Sequence, residues 1–258
     1  MKIATWNVNS LKVRLPHVLD WLAATQVDVL CLQETKTEDK AFPYEALEAA
    51  GYHAVHNGQK TYNGVAILAR AELDDVCFDI PDFADEQKRV LAATVNGLRI
   101  VCAYMPNGQE VGSEKYGYKL RWLAALAGYL RAELQRFPQL ALLGDYNIAP
   151  EDRDVHDPVA WKDQILCSEP ERAAFRELVG LGLADAFRLF EQPPKLYSWW
   201  DYRQMGFRLN RGLRIDHILL SQPLAAACSA CTIDKAPRKL ERPSDHAPVM
   251  ATVNLQSP

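Results

Sequence analysis

Near the end of the chain, Pro243-Ser244-Asp245-His246-Ala247-Pro248-Val249 sets an acid beside a histidine between two prolines. The prolines stiffen the backbone and forbid a helix through the segment. Asp245 can ligate a hard cation, and His246 can hydrogen-bond a phosphate oxygen or carry a proton. Alone, the segment is equally a surface Ser-Asp turn with a chance histidine. Other residues change the balance: Asn7, Glu34, Tyr104, Asp145 and Asn147 each stand just after a hydrophobic run. Strands of one sheet that end on one side bring such groups to a common rim, with the core holding them rigid.

Each residue type suggests a role. Glu34, Asn7 and Asp245 are oxygen ligands suited to Mg²⁺ or Mn²⁺ that keeps several waters, and Asp145, Asn147 and His246 count among the groups that can share the ion. No Cys/His set with zinc geometry competes; Cys228-Ser229-Ala230-Cys231 has no second pair near it and reads as structural. Asp145 is the candidate base for a water nucleophile. Asn147, two residues along the same strand end, faces the same way and can bond that water or a phosphate oxygen. Asp216 interrupts the apolar run Arg214 to Leu220, where a carboxylate is costly unless paired. His246 is its natural partner. So paired, the imidazole would be oriented, more basic and ready to donate to an anionic phosphoryl oxygen. The neighbouring His217 points to the opposite face and reads as structural.

Basic and aromatic residues interleave on or beside these loops. Lys36, Lys60, Arg89, Lys115, Lys119, Arg121, Arg203, Arg208, Arg211 and Arg214 alternate with Tyr62, Tyr116, Tyr118, Trp199 and Trp200. Basic groups hold phosphates, and rings stack on bases or sugars. The cluster suggests nucleic acid although the net charge is −4, so any polyanion contact must come from a local basic face.

The elements that must position these groups follow from periodicity. Lys2 to Trp6 reads as a strand, followed by a helix with Pro16 near its first turn and Leu15, Leu19, Leu22 and Ala23 on one face. Val27 to Leu32, Gly64 to Leu68, Leu140 to Leu143 and Arg214 to Leu220 read as strands. Val90 to Val95 and Leu98 to Tyr104 form a hairpin about Asn96-Gly97. A long helix is expected from Tyr118 to Arg136, and another begins at the Ser168/Glu171 capping box and ends near Gly182. Pro150 to Cys167 reads as irregular. Hairpins mixed with helical excursions argue for two largely antiparallel sheets packed face to face, with helices outside. No linker, repeat or low-complexity tract appears, so residues 1–258 are expected to form one domain.

Composition bounds the class. Hydrophobic content of 48% and charged content of 24% suit a water-soluble globular chain. Six cysteines over this length make no disulfide framework; Cys31 and Cys102 sit in apolar runs as buried thiols. With no signal peptide before Lys2 and no run long enough to span a bilayer, a cytoplasmic protein without membrane partners is expected.

The same residues carry a family resemblance. Trp6-Asn7-Val8-Asn9-Ser10, Leu32-Gln33-Glu34-Thr35-Lys36, Tyr62-Asn63-Gly64-Val65-Ala66, Tyr104-Met105-Pro106-Asn107-Gly108, Gly144-Asp145-Tyr146-Asn147, Trp199-Trp200-Asp201-Tyr202-Arg203, Gly212-Leu213-Arg214-Ile215-Asp216 and the Ser-Asp-His segment resemble, in order and nearly end to end, the motif series of the exonuclease III family of apurinic/apyrimidinic endonucleases. That family belongs to the endonuclease/exonuclease/phosphatase superfamily. The resemblance implies a deoxyribonuclease I-like α/β fold, a four-layer α/β sandwich of two packed mixed β-sheets flanked by helices. It also implies Mg²⁺ or Mn²⁺, a role in DNA repair, and monomeric action on double-stranded DNA with abasic sites or damaged 3′ ends.

By family role, Glu34 binds the metal with Asn7 and Asp245 assisting. Tyr104 and Asn147 contact the phosphate, Asp145 activates water, and Asp216 supports His246. Lys36, Lys60, Tyr62, Asn63, Arg89, Asn107, Trp199, Leu213 and Ile215 are the expected substrate-binding residues.

Two departures from the family pattern bear on substrate preference. The segment Pro150 to Glu169 is idiosyncratic, and Leu213 stands where some relatives carry an aromatic residue beside an abasic-sugar pocket. Val155 to Cys167 would be the natural wedge into a duplex, with Gln164-Ile165-Leu166-Cys167 apolar enough to insert. Its bulk could instead occupy the path of a continuing strand. Two rival functions are a phosphoesterase for inositol phosphates or sphingomyelin on a similar scaffold, and a silent nucleic-acid-binding regulator. The Trp-Trp-Asp-Tyr-Arg and Gly-Leu-Arg-Ile-Asp segments disfavour the first, and the full set of catalytic groups disfavours the second.

Overall fold

The computed structural model describes residues 1–255. Its strands are β1 (Lys2–Asn7), β2 (Val29–Gln33), β3 (His53–Asn57), β4 (Val65–Ala69), β5 (Asp74–Phe78), β6 (Val90–Val95), β7 (Leu98–Tyr104), β8 (Leu140–Asp145), β9 (Leu183–Asp185), β10 (Trp199–Trp200), β11 (Gly212–Leu213), β12 (Asp216–Ser221), β13 (Cys228–Ile233) and β14 (Val249–Val253). The helices are α1 (Leu11–Thr25), α2 (Tyr44–Ala49), α3 (Glu114–Arg136), α4 (Glu169–Gly180) and α5 (Gln222–Ala227). One six-stranded sheet runs β13-β14-β1-β2-β4-β3 and the other β5-β6-β7-β8-β12-β9. Each is mixed: β1 and β2 are parallel, as are β7 and β8, and the other pairs are antiparallel.

Alternation along the strands builds the layers. Ile3, Val29, Cys31 and Ile67 point inward and meet Leu91, Ile100, Cys102, Leu143 and Ile218 of the second sheet. Their sequence neighbours Ala4, Trp6, Leu30 and Leu32 point out to Val18, Trp21 and Leu22 of α1. On the far side Val101, Leu142 and Leu219 meet Trp122, Leu126 and Leu130 of α3 and Phe175 and Leu178 of α4. The order is helix, sheet, sheet, helix: the four-layer sandwich. Burial on both faces explains why the central strands read as continuous apolar runs.

Several boundaries move from the expected ones. α3 starts at Glu114 because the Ser113 side chain accepts a hydrogen bond from the Tyr116 backbone N–H, capping a polar first turn that carries little apolar periodicity. Pro16 lies inside α1, which lacks one internal hydrogen bond there. The strand expected from Arg214 begins at Asp216, since the Arg214 backbone N–H is already bonded to the Asp154 carbonyl. The Asn96-Gly97 hairpin and the Ser168/Glu171 capping box form as read.

Topology then decides where the polar strand ends go. Parallel pairing puts Asn7 beside Gln33 and Tyr104 beside Asp145. Antiparallel pairing sets Asp216, the first residue of β12, against Asp145, the last of β8. β14 likewise starts level with the end of β1, Val249 opposite Thr5, so the Ser-Asp-His segment preceding it lies at the same rim.

Candidate active site

The rim holds a continuous polar network. The Asn7 amide, wholly buried, donates to Glu34 Oε1 at 2.8 Å and to Asp145 Oδ2 at 2.9 Å. The Asn147 backbone N–H donates to Asp145 Oδ1 at 2.9 Å, and its side-chain amide donates to the Met105 carbonyl at 3.0 Å. Asn107 donates to Asn147 Oδ1 at 3.1 Å. Asn9, Glu34, Lys36 and Asn147 all have positive φ, from 43° to 52°. Non-glycine residues are held there only when their surroundings over-determine them, and such backbone clusters at functional sites.

His246 faces Asp145 across 3.7 Å from Nε2 to Oδ2, while its Nδ1 lies 2.9 Å from Asp216 Oδ2. Burial alone would lower the pKa of this imidazole, yet Asp216 and Asp145 lift it to about 10, so it is an imidazolium at neutral pH. Asp145 is pushed up to about 7, first by burial and then by Asp216, with His246 pulling the other way. Burial, then Glu34 and Asp145, raise the Tyr104 phenol well above its ordinary value, so it stays a neutral donor. Arg89 covers the Tyr104 ring at 4.7 Å and donates to its backbone carbonyl.

The Ser-Asp-His turn is clipped in place from several sides. Ser244 Oγ donates to the Asn7 carbonyl at 2.7 Å and accepts from the His246 N–H at 3.2 Å. Arg238, stacked among Trp200, Tyr202 and Phe207, donates to the Ser244 carbonyl. Ser198 Oγ accepts from the backbone N–H of Ile215 and of Asp216, which fixes the start of β12. Asp245 accepts from Trp199 Nε1 and Asn9 Nδ2, both at 3.0 Å, and His246 with these donors holds its pKa below the usual range against the opposing effect of burial.

Among the described residues, Glu34, Asp145 and His246 offer ligand atoms within 4.8 Å of one another. Two carboxylates beside the Asn7 amide suit a hard divalent cation, so the donor set fits a metal. Asp245, expected as a ligand, lies outside this group; it is tied to the rim through Asn9, whose Oδ1 accepts from Lys36 at 2.6 Å. Lys36 also pairs with Glu34 at 2.8 Å. Asn9 was missed as a site residue; its place two residues after Asn7, in the same strand-end motif, is the signal that could have found it.

The substrate-binding expectations divide. Tyr62, Asn63, Arg89, Asn107 and Lys115 line one groove of about 700 Å³ beside Tyr104, and Lys60 stands exposed at its edge of the chain, two residues before Tyr62. Trp199 lines a second hollow of about 390 Å³ with Trp161, His156, Arg203 and Arg211. Leu213 and Ile215, by contrast, are 0% and 1% exposed, packed with Val155, Leu166 and Cys167 beneath Trp199. They support the tryptophan rather than present a surface. The wedge expectation changes in part with them: Leu166 is 4% exposed, packed on Leu213 where Val155 bridges to β11, whereas residues 157–160 and 162–164 stay exposed. Lys119 and Arg214 are not phosphate holders either. Lys119 is buried on Glu171, and Arg214 on Asp154 and Asp185.

A His-Asp pair facing two carboxylates and a neutral tyrosine, at the open end of a two-sheet sandwich, is the arrangement of a metal-assisted phosphoesterase. The family model described as Endonuclease/Exonuclease/phosphatase family matches residues 4–246. Exodeoxyribonuclease III of Haemophilus influenzae is 40% identical over 97% of this chain and 99% of its own. A Neisseria 3′ phosphatase solved with a product DNA hairpin superposes with a TM-score of 0.97 at 49% identity, covering 99% of this chain and 100% of that one. An AP endonuclease from Archaeoglobus fulgidus gives 0.95 at 38% identity over the same shares. The chain belongs to the Endonuclease/Exonuclease/phosphatase family, in its exonuclease III branch.

Proposed function

We propose that this chain is a DNA repair nuclease that hydrolyses the P–O3′ bond of DNA phosphodiesters, leaving a 3′-hydroxyl and a 5′-phosphate. Its substrates are duplexes with blocked or normal 3′ ends and strands 5′ to abasic sites. Residues 1–258 act as one domain and as a monomer. The observation that carries the reading is the His246-Asp216 pair facing Asp145 across 3.7 Å, next to the carboxylate of Glu34.

Glu34, its carboxylate fixed by the Asn7 amide, would hold Mg²⁺ or Mn²⁺, which when bound neutralises charge on the phosphate and leaving oxygen. Asp145 takes the proton of the attacking water; burial has moved its pKa towards the working pH, where a general base is most effective. The imidazolium of His246, the phenol of Tyr104 and the amide of Asn147 are the donors for the phosphoryl oxygens, preorganised so that charge developing on them meets aligned dipoles. Arg89, Lys36 and Lys60 hold flanking phosphates, and Trp199 offers a ring face to the sugar or base.

The experiment that tests the reading compares cleavage of an internal abasic analogue, a 3′-phosphate nick and a plain recessed 3′ end in one metal-containing buffer. Metal-dependent release from at least one DNA is expected. Hydrolysis of inositol phosphates or sphingomyelin in preference to all of them would overturn it.

A further inference from the structure

We propose that Lys119 is a positioning residue whose buried ammonium locks the loop carrying Asn107 to the loop carrying Asn147, and so sets where Asn147 holds the reacting phosphate. This rests on the hydrolase reading above.

Lys119 lies on the second turn of α3 with its side chain wholly out of water. Its ammonium has three acceptors: the Asn107 carbonyl at 3.1 Å, the Asn147 carbonyl at 2.7 Å, and Glu171 Oε1. These match the three donors of an ammonium, leaving none free for substrate. Neither carbonyl receives a backbone N–H among the described residues. Without the lysine the Asn147 carbonyl would be a buried orphan and the Asn107 carbonyl, nearer the surface, would lose its partner, in loops of left-handed backbone with Gly108 at φ +91° and Asn147 at φ 50°. The lysine stem lies against Gly108, where an added Cβ would come within 3.1 Å of Lys119 Cδ.

The other end of the lock is Glu171, the capping-box acid of α4. It also accepts from the Leu166 N–H at 3.0 Å and the Ser168 N–H at 3.1 Å. One charge pair thus joins the loops after β7 and β8 to the entry of α4. Packing alone does not call for it, because an apolar pair of similar volume is often as stable as a buried ion pair. What an apolar pair cannot do is satisfy the two carbonyls whose residues, Asn107 and Asn147, bond each other at the edge of Asp145.

The test uses Lys119→Met, which keeps the stem and removes the ammonium, and Lys119→Met with Glu171→Gln, which leaves no unpaired buried charge. Both are assayed on a 3′-phosphate nick with saturating Mg²⁺ at 10 °C, where circular dichroism verifies folding, and the Asn107 and Asn147 amide resonances are recorded. The expected result is kcat down by about 10- to 100-fold, KM within about threefold, and both sets of resonances displaced, as for a small misplacement of catalytic groups. A folded double variant with kcat within twofold of the parent and unmoved resonances would overturn the inference. So would a rise in KM at constant kcat, which would make Lys119 a substrate-binding charge. Failure of both variants to fold overturns it too, since the lysine is then a stability element. If the parent chain cleaves no DNA, the hydrolase reading fails, and the resonances alone decide the lock.

Discussion

Replacing Asp216 with Asn isolates the electrostatic part of the site. The carboxylate lies 2.9 Å from His246 Nδ1, and the amide keeps its shape and can accept the same hydrogen bond. Charge centres about 4 Å apart at an effective dielectric near 20 interact by about 4 kcal/mol. That is about 3 pH units of support for the imidazolium. His246, at about 10 in the intact protein, should then titrate near 7 in the variant, within about a unit. The parent enzyme keeps its cation from pH 6 to 9, whereas the variant loses it about tenfold per unit above its new pKa. The ratio of parent to variant kcat/KM should therefore widen by about 50-fold between pH 7 and pH 9, since the variant is already half deprotonated at pH 7. The assay is single-nick hydrolysis across that range, with the His246 ring resonances titrated in parallel. Parallel pH profiles that differ only by a constant factor would refute the argument, because Asp216 would then orient His246 without supporting its charge.

Three further outcomes follow from named groups. Glu34→Gln should cost most of the activity at limiting Mg²⁺, recover partly in excess Mn²⁺, and leave the melting temperature nearly unchanged; unaltered turnover at limiting Mg²⁺ would remove Glu34 from the metal site. Arg214→Met leaves Asp154 and Asp185 buried without their shared partner, a loss of about 3–5 kcal/mol, so calorimetry should show a melting temperature roughly 10 °C lower. His217 is held at about 4, by burial first and by Arg214 second. A depressed histidine contributes stability that is present above the unfolded value of about 6.5 and lost as pH falls towards 4. Urea titrations at pH 7 and pH 4.5 should give His217→Gln a shallower acid loss than the parent by on the order of 2 kcal/mol, and equal slopes would assign the acid loss to other groups.

Much of the architecture was legible because local chemistry and global topology agree. Asn96-Gly97 demands a hairpin, Ser168 and Glu171 form a capping box, and the polar residues ending each apolar run meet because the strands pair with those ends level. What could not be read is the fate of charges whose partners lie far away in sequence. Lys119 and Arg214 look like any solvated base until Glu171, Asp154 and Asp185 arrive from other segments. Leu213 and Ile215 looked available because nothing local announces that Val155 to Cys167 will cover them. Ser198 is a similar case, an ordinary serine whose hydroxyl holds the backbone at the start of β12.

The central claim is that Asp145 supplies the base of a DNA-hydrolysing site, and Asp145→Asn tests it most directly. Single-turnover cleavage and equilibrium binding of the same 3′-phosphate nick should be measured side by side. The account predicts a chemical step slower by about 10³-fold or more, with affinity equal or tighter because one negative charge facing the phosphate is gone. Loss of affinity in step with rate, or a rate within about tenfold of the parent, would contradict it and place the base elsewhere.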